Sequence, residues 1–195
     1  MIRVGIVGEN YYNDSIALRN LLEKQYDINK VQFVPMLKGT TGDKLKSKGI
    51  KRLLEEEIKK KSKKGKINFI IFFHDLDGFP SEEEKIKDIQ NWFEAVKLYE
   101  LDTLFITIFE SEALLLADIK TINKFYKVTI NFSQSPLWQE KPKEFLYRKT
   151  AEKYKQSDCP ELFALLHFDS VYQKHKGEHS FQSFILELDE KLNHA

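Results

Sequence analysis

Ile67-Asn68-Phe69-Ile70-Ile71-Phe72-Phe73-His74-Asp75-Leu76-Asp77-Gly78 decides the fold. The segment Ile67–Phe73 is the most continuous apolar run in the chain, short enough for a strand and rich in β-branched and aromatic side chains. A nearly unbroken apolar run, rather than an alternating one, predicts a central strand covered on both faces. Acidic residues follow it at once, Asp75 and Asp77. In a parallel α/β sheet the carboxyl ends of the strands lie along one rim, so acids distant in sequence converge there.

The same order, strand then acid, occurs twice more. Glu9 follows Ile2–Gly8, and Glu110 and Glu112 follow Thr103–Phe109. Around these points strands and helices alternate. Ile2–Val7 reads as a short buried strand. Asn13 and Asp14 are N-cap candidates for a helix with apolar positions at Ala17, Leu18, Leu21 and Leu22. Val31–Leu37 is a second strand, and Pro35, which cannot donate to a ladder, puts it at an edge. After a loop at Gly39–Gly42, Asp43–Lys64 is expected as one lysine-rich helix with an apolar stripe of Ile50, Leu53, Leu54 and Ile58. Gly49 costs that helix about 1 kcal/mol relative to alanine. Ser81 and Glu84 form a capping-box pattern after Pro80, opening a helix that buries Ile86, Ile89, Phe93 and Val96. Leu104–Phe109 is the fourth strand and Glu112–Asp118 opens another helix. The expected fold is α/β: a Rossmannoid parallel sheet of about four strands with helices on both faces.

The pattern changes from about Asn131. Ser133–Pro142 reads as a loop, followed by helices near Lys143–Lys155, Pro160–Leu166 and Phe181–Leu192. We expect residues 1–128 to form the α/β core and residues 129–195 a helical C-terminal extension packed on it.

Composition narrows the class. The chain has 195 residues, 42% hydrophobic and 31% charged, with fifteen Phe and eight Tyr, which reads as globular rather than disordered. A net charge of +1 names no partner. The single cysteine, Cys159, excludes an intramolecular disulfide framework and a cysteine-built zinc site. The amino terminus reads as a strand rather than a signal peptide, and no apolar run reaches membrane-spanning length. A cytoplasmic protein without membrane contact is therefore expected, and the sequons at Asn13 and Asn131 carry no meaning in it.

Asp75 and Asp77 carry the strongest chemical signal. On an extended segment residues i and i+2 face the same side, roughly 7 Å apart. Two carboxylates so placed suit a hard divalent cation such as Mg²⁺ or Mn²⁺. Gly78 allows a sharp turn after them. Taken alone, an acidic turn capping the next helix explains them equally well. With Glu9 and Glu112 expected on the same rim, the metal reading leads. Glu9 can be a ligand, a general acid/base or a charge at a helix N-terminus. Glu110 and Glu112 can also be first-turn charges complementing a helix dipole.

Other features are weaker. The segment Asp43–Lys66 has eleven basic and four acidic residues, which leaves the rest of the chain net negative. It can track a nucleic-acid backbone, but a solvated helix face explains it better, since no aromatic residues interleave it. Gly39–Lys44 lacks phosphate-loop spacing. His74, His167, His175 and His179 form no ligand set and read as satisfied polar or surface groups. Cys159 has no basic neighbour in sequence to activate it.

A first-strand glutamate, Glu9, a later Asp75-Leu76-Asp77-Gly78 and this βα order resemble the Toprim family, the metal-binding domain of topoisomerases, primases and overcoming-lysogenization-defect-type nucleases. The match covers roughly residues 1–125. Glu112-Ala113-Leu114-Leu115-Leu116-Ala117-Asp118, Lys141-Pro142-Lys143 and Ser180-Phe181 extend it toward a small stand-alone bacterial branch of unknown function. The resemblance implies that Glu9, Asp75 and Asp77 hold Mg²⁺ or Mn²⁺, that Glu9 serves as general acid/base, and that Glu112, rather than Glu110, completes a second metal position. Lys143 would serve catalysis by contacting a phosphate or stabilising developing negative charge. One departure is Asn10, where the family has glycine. Asparagine tolerates left-handed geometry, which would keep that turn available, and Tyr11 and Tyr12 make the loop bulkier.

The implied function is a Mg²⁺-dependent phosphodiesterase, in particular a nuclease acting in bacterial defence against phage or plasmids. Nucleic acid is the implied partner, DNA ahead of RNA, with an ATPase partner protein; a homo-oligomer is compatible with it. A non-catalytic subunit or binding module of the same fold is the alternative. A haloacid-dehalogenase-type phosphatase ranks lower, because its motif usually sits on the first strand and Phe79 stands where those enzymes prefer Thr or Val.

Overall fold

The structure, a computed structural model, describes every residue except 41, 48, 80 and 133–140. Four strands, β1 (Ile2–Gly8), β2 (Val31–Pro35), β3 (Phe69–Asp75) and β4 (Thr103–Thr107), form one sheet in the order β2-β1-β3-β4. All pairs are parallel. Val4 lies opposite Phe69, Gly8 opposite Phe73, and Asp75 opposite Thr107. β2 is an edge strand, as Pro35 implies, and β3 is internal, as its apolar run implies.

Alternation along the strands divides the core. Val4, Ile6, Phe69, Ile71, Phe73 and Phe105 point to one face. They meet α1 (Ala17–Leu22), α5 (Ala113–Ala117), α8 (Cys159–Leu165), α9 (Phe168–Lys174) and α10 (Phe181–His194). Phe105 is stacked between Phe73 at 5.1 Å and Phe184 of α10 at 4.4 Å. Such ring pairs add to the stabilisation from area burial alone. Val7, Ile70 and Phe72 point to the other face, under α3 (Ile50–Lys61) and α4 (Glu83–Val96). The chain is thus α/β, with helices on both faces of a four-stranded parallel sheet and a C-terminal helix against one of them. The remaining helices are α2 (Gly42–Leu45), α6 (Ile119–Tyr126) and α7 (Pro142–Lys149). Among the described residues no helix is long and apolar enough to cross a membrane.

Several expectations need correcting. The single helix over 43–64 is two, α2 and α3, joined through Gly49 at the N-cap of α3. Leu45 and Leu54 both enter the same core cluster. Nine residues apart they would stand about two and a half turns round a continuous helix, on opposite sides, so the chain must break between them. Trp92 Nε1 donates to the Leu45 carbonyl at 3.2 Å and holds the break. The Ser81/Glu84 capping box does not form. Glu82 is the N-cap of α4, and its carboxylate accepts the Phe79 N–H at 2.9 Å instead. The expected loop from Ser133 lies outside the described residues up to position 140. α9 had no sequence expectation; its only strongly apolar positions, Phe168 and Val171, are too few to show a stripe.

Candidate functional site

The site begins where β1 ends. Asn10, not Asn13 or Asp14, caps the following turn: its side-chain oxygen accepts the N–H groups of Tyr12 and Asn13, each at 3.0 Å. Asn10 is extended, with φ −123°, so the left-handed geometry considered for it is not used. The chain then makes a wide turn over Tyr11–Ile16, in which Ser15 N–H reaches the Asn10 carbonyl at 3.2 Å. That widening carries Asp14 back over the strand end, where its carboxylate accepts the Asn10 N–H at 2.6 Å. Gly8 makes room for it, since a Cβ there would lie 2.5 Å from Asp14 Cβ.

β3 delivers the next acids differently from the extended arrangement read from the sequence. The strand stops at Asp75, and Asp77 adopts φ +53°. The two aspartates are therefore not successive same-side positions of a strand. Leu76 between them is buried against Ile86, Ile89 and Ile108. The left-handed residue is Asp77, not Gly78; a Cβ at Gly78 would meet only the Glu82 carboxylate, the mobile end of a partly exposed side chain. The Asp77 N–H bonds the Phe109 carbonyl at 2.8 Å, tying this turn to the one that follows β4.

Glu9, Asp14, Asp75, Asp77, Glu110 and Lys143 line one cleft of about 300 Å³ at the carboxyl edge of the sheet. Glu9, Asp75, Asp77 and Lys143 are thus brought together. Glu112 is not on the cleft wall. It is fully buried behind it, where its two oxygens accept the Tyr154 hydroxyl at 2.7 Å and the Ser111 hydroxyl at 3.3 Å. Glu110 does reach the cleft and accepts the Lys143 N–H at 3.2 Å, while Lys143 Nζ donates to Gln156 at 3.3 Å.

The electrostatics are those of crowded acids. Burial pushes the Asp14 carboxyl up to about 7, with the charges of Glu112 and Glu9 adding to the rise. Burial raises Asp75 well above its usual value, and the Asp14, Glu112 and Glu9 charges act the same way, against a 2.6 Å hydrogen bond from Thr107. Burial and Glu112 raise Glu110 as well. Glu9 goes the other way. Burial acts to raise it, but His74, Lys46 and the Asp75 backbone together hold it below the ordinary carboxylate value. Lys46 Nζ lies 3.8 Å from Glu9 Oε1.

His74 Nδ1 lies 2.7 Å from the Asp75 carbonyl and 2.8 Å from Glu9 Oε1. One ring hydrogen cannot serve both well, and the alignment favours the carbonyl. Glu9 Oε1 is left buried with no aligned hydrogen-bond donor. An orphaned buried carboxylate oxygen is uncommon and costly. A hard cation is one partner that would satisfy it, and every cleft acid offers oxygen ligands of the kind Mg²⁺ or Mn²⁺ prefers. Among the described residues no three His, Cys, Asp or Glu side chains stand close enough to enclose an ion by themselves. Mg²⁺ does not require that, since it retains waters and is often bound through one or two carboxylates plus substrate phosphate. The donor set fits such an ion.

Sequence reasoning missed three members of this site. Asp14 looked like an N-cap, His74 like a satisfied histidine, and Lys46 like part of a solvated helix face. A signal existed only for Asp14: Gly8 beside Glu9, with an acid five residues on, fits a wide turn folding back on a strand end. The chain matches no protein-family model, no curated protein and no solved structure.

Proposed function

We propose that this cleft binds Mg²⁺ or Mn²⁺ and hydrolyses phosphodiester bonds, making the protein a Toprim-type nuclease. The observation that carries the reading is that Glu9, Asp75, Asp77 and Lys143 line one cleft at the strand edge, where a buried Glu9 oxygen has only a His74 hydrogen that it shares with the Asp75 carbonyl. One or two of Glu9, Asp75 and Asp77 would ligate the ion, with waters and a substrate phosphate completing its shell. Its charge would stabilise the transition state and acidify the attacking water.

The chain's own groups supply the rest. Water adds to phosphorus as the ester P–O bond breaks, so one proton must leave the water and one must reach the departing oxygen. Glu9, held ionised by His74 and Lys46, is placed to accept the first, and the departing oxygen takes the second from solvent water. Lys143 lines the same wall and can neutralise charge on a phosphate oxygen. Glu112 sits behind the wall, hydrogen-bonded to Tyr154 and Ser111, and is not among the ligands. The wider role, nucleic-acid cleavage in bacterial defence beside an ATPase partner, rests on the Toprim resemblance.

Labelled DNA and RNA incubated with the purified protein in Mg²⁺, Mn²⁺ or chelator test this directly. Cleavage that needs the divalent ion and disappears in Glu9→Gln is expected. A folded wild-type protein inert with every divalent ion on both polymers overturns it in favour of a non-catalytic module.

A further inference from the structure

Two more cavities share walls with the acidic cleft. One of about 530 Å³ shares Asp75 and Asp77 with it and extends to Lys46, Lys85 and Trp92. The other, about 430 Å³, shares Glu110, Lys143 and Gln156 and extends to Lys141 and Tyr147. The three spaces adjoin across shared walls in a row, a trench with acids in the middle, lysines in both outer segments and an aromatic ring in each outer wall.

One exposed ring lines this trench, and two more stand close in sequence to its acids. Among the described residues only three aromatic side chains are exposed: Tyr12 at 49%, Phe79 at 53% and Tyr147 at 47%. Tyr12 lies in the turn just after Glu9, Phe79 follows Asp77 by two residues, and Tyr147 is in the trench wall. Large rings left in water at a site rather than scattered over the surface mark a binding surface. Tyr12 also carries Lys38 Nζ 5.6 Å above its ring, and Phe79 packs edge-on against Phe109 at 4.7 Å. Both rings are held in place rather than loose.

We infer that the nucleic acid enters this trench as an unpaired strand, with one phosphate over the acids, its neighbours at Lys46 and Lys85 on one side and Lys141 and Lys143 on the other, and bases stacked on Tyr147 and the exposed rings. This rests on the phosphodiesterase reading and sharpens it to single-stranded substrate. A duplex keeps its bases paired and stacked and offers no free π-face to these rings, whereas an unpaired strand offers one at every nucleotide. Lys85 is engaged by Glu82 at 2.8 Å and Lys141 by Glu144 at 3.7 Å. Exposed ion pairs of this kind exchange partners at little cost.

Fluorescence anisotropy in Ca²⁺, with a labelled oligothymidylate and a hairpin duplex of equal length, tests the inference. The single strand should bind about 10-fold tighter than the duplex. Tyr147→Ala should weaken it by about 10-fold and Tyr147→Phe by no more than about 2-fold, as expected for losing or keeping one stacking platform. Equal or tighter duplex binding overturns the inference, as does unchanged affinity in Tyr147→Ala. If the alanine variant does not fold, photo-crosslinking of a 5-iodouracil strand to the wild type decides: adducts on Tyr147, Trp92, Tyr12 or Phe79 support the path, and adducts confined elsewhere overturn it. Single-strand binding without divalent-dependent cleavage would remove the phosphodiesterase and leave the path. Divalent-dependent cleavage with no preference for single strands would do the reverse.

Discussion

The two edges of the sheet handle buried charge in opposite ways. At the amino edge, Asp102 is nearly inaccessible and accepts three backbone N–H groups, from Ile70 and Leu98 at 2.7 Å each and from Tyr99 at 2.9 Å. Arg3, equally buried, donates to Gln32 at 2.8 Å and to the carbonyls of Lys61 and Gly65. Each charge there is closed off against fixed groups. At the carboxyl edge, Asp14, Asp75 and Glu112 are close enough that the charge of one raises the carboxyl of another. Glu9 keeps a buried oxygen without a donor. The difference separates two uses of burial. A charge met by backbone donors staples strands together. Acids that face one another across a cavity leave a deficit that a cation or protons must fill, a pattern that marks functional sites.

This contrast can be broken at either edge. The largest effect is expected at the amino edge. Asp102→Ala leaves three buried N–H groups without acceptors and should cost about 4 kcal/mol of stability, read as a fall in the urea midpoint. Its cleavage per folded molecule should not change. A loss of under about 1 kcal/mol would show that water replaces the carboxylate and that Asp102 is no staple.

Next comes pH. Asp14 is raised from 3.8 to about 7 in the folded protein, and Asp75 moves in the same direction. Between the unfolded and folded values the native state binds more protons, so stability must fall as pH rises through that window. Without divalent ion, about 3 kcal/mol should be lost between about pH 4 and about pH 8. Glu9, lowered rather than raised, works the other way, losing its contribution only as pH falls below the ordinary carboxylate range. Urea midpoints measured across that range in chelator check the sign. Added Mg²⁺ should flatten the slope, and Asp14→Asn should reduce it without metal. A midpoint that rises steadily with pH would contradict the crowded-acid account.

Asp75→Asn sharpens the comparison further, because it removes charge while keeping an acceptor for Thr107. Divalent-dependent cleavage should fall about 100-fold or more. The melting temperature should stay level or rise, since a buried acid has been neutralised. Loss of both activity and stability would place Asp75 with the staples instead. The smallest effect is expected from Tyr154→Phe. It deletes the 2.7 Å hydrogen bond to buried Glu112 and should cost about 2 kcal/mol by denaturation. A neutral result would mean that Glu112 finds another donor.

Strand positions were legible because each strand is a local signal. The apolar run of β3, the proline of β2 and the acids after β1, β3 and β4 all stand in single short stretches. Helix details were less legible where packing competed with propensity. Gly49 read as a tolerated flaw in one long helix, yet the need to bury both Leu45 and Leu54 turned it into a boundary. Ser81 with Glu84 satisfied the capping pattern, yet the Phe79–Glu82 turn took the cap one residue later. Within the site, Glu9, Asp75 and Asp77 could be picked out because strand ends in a parallel sheet share a rim. The resemblance chose Glu112 over Glu110, whereas Glu110 is the one on the cleft wall; the two stand two residues apart at a helix start, and only packing decides which is sealed in.

What the sequence determined alone is the layering: short apolar runs alternating with runs of period 3.6 admit a parallel sheet between helices and put acids at its carboxyl edge. What tertiary structure decided is which acids face the cleft and in what state of charge. Side-chain direction after a strand depends on one or two dihedral angles, such as the φ of +53° at Asp77. The charge state depends on burial and on neighbours as remote in sequence as Asp14 and Glu112. Both are sums over contacts that no local window of sequence contains.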